Sequence, residues 1–486
     1  MRAALRRTAS PETALVGAGA ALGAAVVGNF QVGVVSVAAA LFGLLLVWHG
    51  TLLRWDVLLA GIVLVVLFVP IKRYALPGSL PFDLELYRVV VALVLGGWLA
   101  SLLVDPRVRL RSTALDVPVL LIVFTALASE LANPGRVQDL GSYVVKSLTF
   151  LASFALVFFM VSSLLTTRQK VDTLLKTLVV GAALVAVAAL VERQTAYNVF
   201  DRLSTVFPFL EFQGTAFVGE RSGRLRVVAS AQHPIALGAF FATAVPIAAY
   251  LIRAHSRKWW IAAVAIGLGA LGSSSRTAIV MLIAALIVFL LLKPVETKRL
   301  WVLVLPALIV AKVAVPGSLV TLKESFFPEG GLIAEQSQLP ENADPYLAGG
   351  RVRLLGPSLK EASEQPLLGL GYGTRVTGFR TEFRNAPILD NQWLGLLLEV
   401  GALGFAAWAW LVVRATRRLY RAANEDDERD SWLYAGLCAS ILSFAIGMFT
   451  YDAIGFVQAI FVFWLLAAVA AAALRIRESS RKPLVT

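Results

Sequence analysis

The sequence predicts an all-α polytopic membrane protein with about 12–14 transmembrane helices and two long outer loops. Hydrophobic residues make up 58% of the 486 residues, and the mean hydropathy is +0.76, above the values of soluble domains. Apolar runs long enough to cross a bilayer recur along the chain, separated by short connections that are alternately basic and nearly uncharged. The net charge of +13 is therefore expected to set membrane topology, and no nucleic-acid partner is predicted.

The apolar runs define the predicted transmembrane spans. They lie near 13–28, 32–48, 57–70, 88–104, 116–132, 143–164, 171–191, 235–252, 259–272, 276–292, 300–316, 391–413, 431–451 and 453–474. The first run could instead be a signal peptide, because three arginines precede a stretch of small residues. A second apolar run follows at once, which favours a retained helix.

The spans divide the chain into six segments. These are N-terminal transmembrane helices (1–191), a smaller outer loop (192–234), central helices (235–316), a large outer loop (317–389), C-terminal helices (390–474) and a tail (475–486). The alternation of lysine and arginine predicts that both termini are cytoplasmic in a multi-pass protein of a bacterial cytoplasmic membrane. Loops as long as these two are usually functional or disordered, and the larger is expected to be partly helical.

Cysteine and histidine are scarce, which limits the chemistry available. Cys438 is the single cysteine and the three histidines are scattered, so the sequence predicts no intrachain disulfide, no metal site and no cofactor.

Arg276 follows three serines in "LGSSSRTAIV", where a span is predicted to begin on the outer side. An arginine beside a helix N-terminus makes a strong anion site, for which phosphate is the natural ligand. The alternative is that Arg276 reaches lipid headgroups while the serines cap the helix.

A second group of arginines lies before the span that starts at Pro234. Arg221, Arg224 and Arg226 could hold a pyrophosphate through bidentate hydrogen bonds, or could be solvated loop charge. His233 could titrate or donate a hydrogen bond, or could be structural.

The stretch "DNQWLGLLLEVGALG" combines polar residues with an apolar span. Asp390 and Asn391 are both preferred helix caps, but one helix needs only one of them. Glu399 lies deeper, where a carboxylate normally faces a cavity or a partner. The stretch therefore predicts a polar chamber that opens outward, with Asp390 at its rim.

This stretch is similar to the signature of the O-antigen ligase and O-antigen polymerase superfamily, in which His-Asn is followed by nine residues and Gly-x-x-Gly. Here Asp390-Asn391 precedes nine residues, Gly401 and Gly404. The Ser-Arg of "SSSR", the arginine of "RVVASAQHPIALG" and the stretch "PLLGLGYG" at 366–373 also resemble family segments, as does a helix start at Arg351 and Arg353. The resemblance covers roughly 190–460.

The resemblance implies metal-independent glycosyl transfer from an undecaprenyl pyrophosphate-linked glycan to a glycan or lipid-linked acceptor, outside the cytoplasmic membrane. Arg276 and Arg226, with Arg224, would neutralise the departing pyrophosphate, and Asp390 would be the general base in place of the family's histidine, beside Asn391. The histidine accompanies ligases, so Asp390 favours polymerase-like chain extension. Alternatively, Asp390 caps the helix and Glu399 or Glu220 deprotonates the acceptor.

Two other functions remain open from the sequence. A transporter or flippase of polyprenyl-linked or anionic solutes would move substrate without forming a glycosidic bond; transporters usually bind substrate near the midplane on broken helices. A noncatalytic scaffold for envelope assembly would not need the arginines that are predicted to converge.

Overall fold

The computed structural model describes residues 53–77, 84–215, 220–221, 224–317, 320, 323–324, 326–327, 353–376, 386–426 and 428–481. The predicted spans near 13–28 and 32–48 lie outside the described residues. The described residues are mainly helical and contain almost no strand, which confirms the all-α polytopic prediction.

The α-helices, in chain order, are α1 (Trp55–Phe68), α2 (Leu86–Val104), α3 (Asp116–Ala132), α4 (Pro134–Asp139), α5 (Gly141–Leu164), α6 (Arg168–Thr195), α7 (Leu203–Val206), α8 (Pro234–Ala254), α9 (Trp260–Gly272), α10 (Arg276–Leu292), α11 (Pro294–Arg299), α12 (Val304–Ala314), α13 (Leu355–Glu364), α14 (Gln392–Glu425), α15 (Glu428–Gly447) and α16 (Val457–Arg481). Short 3₁₀ helices cover Val199–Arg202, Arg257–Trp259, Leu300–Leu303 and Ala453–Gly455.

The strands form two small antiparallel pairs. Strand β1 (Tyr74–Ala75) pairs with β2 (Glu211–Phe212), and β3 (Glu220–Arg221) pairs with β4 (Arg224–Leu225). The first pair joins the segment after α1 to the loop after α6, so the smaller loop is tied to the N-terminal part of the chain.

Seven of the described helices are long and apolar enough to cross a membrane, namely α2, α5, α6, α8, α14, α15 and α16. Helices α1 and α10 are shorter and also apolar. All coincide with predicted spans, because long uncharged apolar runs form helices in which every backbone polar group is paired.

Helix α16 is the centre of the bundle. The apolar stretch of α16 that is long enough to cross a membrane is completely buried. The helix packs against α5, α6, α8, α14 and α15. The run of alanines from Ala470 to Ala473 is buried within it. Small side chains allow neighbouring helices to approach closely in a bilayer.

The predicted span at 300–316 differs from the structure. This region contains a 3₁₀ turn, Leu300–Leu303, followed by α12, instead of one α-helix. Lys298 and Arg299 end α11, and α12, with 11 residues, is about 17 Å long. It is therefore too short to cross a hydrocarbon core of about 30 Å.

Helix α14 is broken at Gly401, whose backbone angles are φ 63° and ψ −166°. Residues 366–371 lie in the break. Leu370 N–H donates to Leu398 O (2.8 Å) and Gly371 N–H to Glu399 O (3.1 Å), while Ala402 N–H donates to Pro366 O (2.8 Å). Leu403 N–H donates to Leu367 O (3.2 Å). The end of the large loop therefore takes over hydrogen bonds that an unbroken helix would make internally.

Candidate functional site

Several helix ends meet at one end of the bundle, where α8, α10 and α14 begin; we call it the site end. Four charged side chains there are linked by electrostatic interactions: Arg226 with Arg276 and Asp390, and Asp390 with Asp452. We call these four the charged cluster. They come from four separate segments, so the cluster exists only in the folded chain.

Arg276 is the first residue of α10 and is held by a tight turn. Ser274 before it has φ 51°, and Ser273 Oγ donates to Ala270 O at 2.7 Å. A Cβ on Gly238 of α8 would lie 2.6 Å from Ser273 Oγ, so α8 packs directly on the turn. Ser275 occupies the N-cap position but makes no side-chain cap hydrogen bond. Ser275 therefore does not cap this helix through its side chain, contrary to the alternative in which the serines cap it.

Thr277 connects the start of α10 with the turn that follows α15. Thr450 Oγ1 donates to Thr277 Oγ1 at 2.8 Å. The same turn carries Asp452. This hydrogen bond therefore connects the neighbour of Arg276 with the turn that holds Asp452.

Arg226 lies just before α8 in a segment without regular secondary structure. Its Nε is buried and makes no hydrogen bond with any described residue. Burial lowers the pKa of Arg226, the positive charge of Arg276 lowers this pKa further, and Asp390 opposes both effects. Two like charges at a partly desolvated site are stabilised by an anion, because each arginine can direct a bidentate fork at phosphate oxygens.

Asn391, rather than Asp390, caps α14. Its side chain accepts a hydrogen bond from Leu394 N–H at 3.2 Å. The alternative that Asp390 is the cap is therefore wrong, because Asn391 fills that position and one helix start has one N-cap. Asp390 has φ 50°, a left-handed conformation that Asp tolerates better than most residues. This conformation turns the chain into α14.

Asp452 supports the start of α14 from the turn between α15 and α16. Its Oδ1 accepts from Asn391 N–H at 3.2 Å. Burial raises the pKa of Asp452 to about 6, and the negative charge of Asp390 contributes to the increase. Gln392 reinforces the contact, because its Oε1 accepts from Ile454 N–H at 2.8 Å. Asp390 and Asp452 are therefore two neighbouring carboxylates, which favours the sharing of a proton.

Glu399 belongs to a second polar group beneath the Gly401 break. Backbone N–H groups of Gly373 and Arg375 donate to its carboxylate, and Glu130 of α3 lies within electrostatic range. Arg375 is the compensating cation, and its side chain also pairs with Glu361 of α13 at 3.2 Å. The Glu399 carboxylate is therefore packed against the end of the large loop, and the outward-opening chamber stays a prediction.

A comparison with protein-family models matches residues 261–409 to the family described as O-antigen ligase. We call this segment the O-antigen ligase domain, after the family that it is similar to. No curated protein matches the chain significantly. The domain indicates an enzyme of the glycosyltransferase type that acts in surface polysaccharide ligation or polymerisation on lipid-linked glycans. With the apolar helices, it indicates a multi-pass protein of the bacterial inner membrane.

The O-antigen ligase domain contains Arg276, Asp390, Asn391 and Glu399, whereas Arg226 lies outside it. In the structure Arg226 lies within electrostatic range of Arg276 and Asp390, while their roles in catalysis stay a prediction. It assigns Asn391 to the helix cap.

The remaining predicted site residues fall into two groups. His233 is the N-cap of α8, and its Nδ1 accepts from Ile235 N–H at 3.1 Å, so this nitrogen has a structural role. Arg353 lies in the turn before α13. Arg351 and the side chains of Arg224 and Glu220 lie outside what the structure describes.

Sequence reasoning missed Asp452 and Arg375. Asp452 is the acidic residue between two predicted spans in "FTYDAIGF", in a connection that otherwise carries no charge. Arg375 follows the glycine-rich stretch "PLLGLGYG" by two positions. Both signals were visible, but their contacts with residues far along the chain were not. Among the described residues, no group of three ligand-type side chains is placed to hold a metal ion.

Proposed function

We propose that this protein transfers a glycosyl unit from an undecaprenyl pyrophosphate-linked glycan to an acceptor hydroxyl, and so polymerises or ligates surface polysaccharide. The observation that carries the proposal is that Arg226 interacts electrostatically with both Arg276 and Asp390 at one end of the bundle. It supplies an anion site and a carboxylate next to each other.

The reaction breaks the bond between the anomeric carbon of the donor and the pyrophosphate oxygen. Negative charge grows on that oxygen as the bond breaks, and Arg226 and Arg276 stabilise it, because preformed charges at a site of low dielectric act strongly on developing charge. The acceptor oxygen forms the new bond to the anomeric carbon, and undecaprenyl pyrophosphate leaves.

Asp390 takes the proton of the acceptor hydroxyl in this proposal. An ordinary aspartate is a weak base near pH 7. A second carboxylate nearby disfavours full ionisation of the pair, and Asp452 provides it. The two arginines act in the opposite direction. In this proposal the carboxylate pair holds the proton taken from the acceptor hydroxyl until it is released to solvent.

Polymerase-like chain extension is the favoured form of the reaction, because Asp390 stands where the resembling ligases carry histidine. The site end is proposed to face outward. The far end carries the basic groups near the start of α6 and the ends of α14 and α16, among them Arg168, Arg418 and Arg477, as the positive-inside rule expects for the cytoplasmic side.

The test uses the purified full-length chain in nanodiscs with an undecaprenyl pyrophosphate oligosaccharide, and resolves products on a gel. Arg276→Ala should lower the rate of product formation by about 10²–10³-fold, as expected for a lost transition-state charge contact. Arg276→Lys should restore little, because lysine lacks the bidentate fork.

Arg417→Ala is the matched control, because it removes the same charge from an exposed position of α14. A ladder from donor alone that depends on Arg276 supports a polymerase, and a product that requires an added acceptor supports a ligase. If the wild type forms no product with either, the proposal is wrong, and movement of the labelled donor across vesicles would then indicate a transporter.

A further inference from the structure

The segment that carries Arg226 is held by side chains from two distant parts of the chain. We propose that Glu192 and Arg73 are positioning residues that set the direction of the Arg226 side chain toward the donor pyrophosphate. The proposal rests on the proposed function and concerns residues outside the matched O-antigen ligase domain.

Glu192 fixes the backbone just after Arg226. It lies in the last turn of α6 and is 3% exposed. Its carboxylate accepts from Val228 N–H at 3.2 Å and from Ala229 N–H at 2.7 Å. Both carboxylate oxygens are thus used by two consecutive amides, which fixes the orientation of that peptide.

Arg73 fixes the same segment through its carbonyl groups. It precedes β1, is 2% exposed, and donates to the carbonyl oxygens of Ala229 and Ala231, the latter at 2.6 Å. Its other terminal nitrogen donates to Asp201 at 2.8 Å. The guanidinium fork therefore joins the loop after α6 to the segment before α8.

The contacts meet at Ala229, whose φ of 44° is unusual for a residue with a side chain. Its N–H donates to Glu192, and its carbonyl also accepts from Asn198 Nδ2 at 3.0 Å. No helix or strand holds residues 226–233, so these side chains supply the hydrogen bonds that regular structure would otherwise provide. A backbone held in this way fixes the position from which the side chain of the preceding Arg226 extends.

The bonding pattern identifies the most informative substitutions. Glu192→Gln keeps the size of the side chain but replaces one accepting oxygen with an NH₂ donor, which faces a backbone N–H. Arg73→Lys keeps the charge but cannot reach two carbonyls and a carboxylate in one plane. Both changes should turn the peptide that follows Arg226.

The experiment measures donor KM and kcat for the full-length protein in nanodiscs, with the same undecaprenyl pyrophosphate oligosaccharide. Glu192→Gln and Arg73→Lys should each raise donor KM or lower kcat/KM by roughly 10-fold to 100-fold, the range expected when a binding group is misplaced. Arg475→Lys is the matched control, because Arg475 also donates to two backbone carbonyls, Ser162 O at 2.6 Å and Leu165 O at 2.7 Å, at the far end. It should leave donor KM unchanged.

A double-mutant cycle separates positioning from general loss of structure. If Glu192 acts through Arg226, Glu192→Gln should have almost no further effect on kcat/KM in an Arg226→Ala background. Independent effects of the two substitutions would overturn the proposal. Arg73→Lys in the same background repeats the test if the Glu192 variant does not fold.

The two proposals fail in different ways. If Arg226→Ala alone leaves donor kcat/KM unchanged, the role of Arg226 in the proposed function is wrong. The positioning proposal for Glu192 and Arg73 then fails with it. If Arg226→Ala lowers kcat/KM while Glu192→Gln and Arg73→Lys behave like Arg475→Lys, only the positioning proposal is wrong.

Discussion

Replacement of Gly401 by alanine should detach the end of the large loop from helix α14. The backbone of Gly401 has φ 63° and ψ −166°, a region that is almost restricted to glycine. A Cβ at this position would lie 2.4 Å from both the carbonyl carbon and the oxygen of Leu367. The loop backbone must move to accept the extra carbon, because no flexible side chain is there to yield.

The magnitude follows from the strain and from the hydrogen bonds at risk. An alanine held at this backbone conformation costs about 1–3 kcal/mol. Four backbone hydrogen bonds join the loop to the two halves of α14, and each contributes about 1 kcal/mol. We therefore expect a loss of about 2–6 kcal/mol in the free energy that keeps the loop docked.

Hydrogen exchange followed by mass spectrometry measures this loss directly. The amides of Leu370, Gly371, Ala402 and Leu403 should exchange roughly 30-fold faster for each 2 kcal/mol of lost docking energy. Gly395→Ala is the matched control in the same helix. Its added Cβ meets only Gln392 Nε2 at 3.5 Å, so the change should be neutral or stabilise α14 by about 0.5–1 kcal/mol. Equal exchange in the two variants would refute the reasoning.

Two further predictions concern the charged cluster. Asn391→Ala should destabilise the protein by about 0.5–2 kcal/mol through loss of the α14 cap. Asp390→Asn should lower kcat with little change in thermal unfolding. The opposite pattern would mean that Asp390 is the cap and Asn391 the group needed for catalysis. Asp452 holds its proton more tightly in the folded chain than in the unfolded chain, because its pKa is raised to about 6. Its ionisation therefore lowers the free energy of unfolding as pH rises from about 4 to about 6. Asp452→Asn should gain stability relative to the wild type across this interval, and parallel melting curves at both pH values would contradict this.

Hydropathy was sufficient to predict the membrane helices from Trp55 onward. A long apolar run has few alternatives in a bilayer, because its backbone must pair internally. The prediction was wrong at 300–316, where an apolar composition did not guarantee one continuous helix. That run starts with a 3₁₀ turn at Leu300–Leu303, and Pro306 lies in the first turn of the α-helix that follows.

The resemblance predicted which loop and helix-start residues would meet, but not how they are held. Asn391 N–H and Asp452 are 61 positions apart, and Arg73 and Ala229 are 156 apart. Pairings over such distances leave no periodic pattern in the sequence. The cap illustrates the same limit, because Asp390 and Asn391 have similar cap preferences and only the observed hydrogen bond distinguishes them.

Gly401 shows why glycine in a span can have two meanings. In an apolar run, a glycine usually indicates close packing of two helices. The positive φ of Gly401 depends on acceptors and donors supplied by residues 366–371, and those contacts cannot be inferred from α14 alone.

The break at Gly401 also has a consequence for biogenesis. In the broken conformation of α14, the amides of Ala402 and Leu403 have no acceptors within their own helix, and an unpaired amide in hydrocarbon costs several kcal/mol. Their acceptors, Pro366 O and Leu367 O, are synthesised earlier and have already emerged from the ribosome. Formation of the break and docking of the preceding loop are therefore one coupled assembly step, and a chimera that exchanges the loop should retain residues 366–371 together with α14.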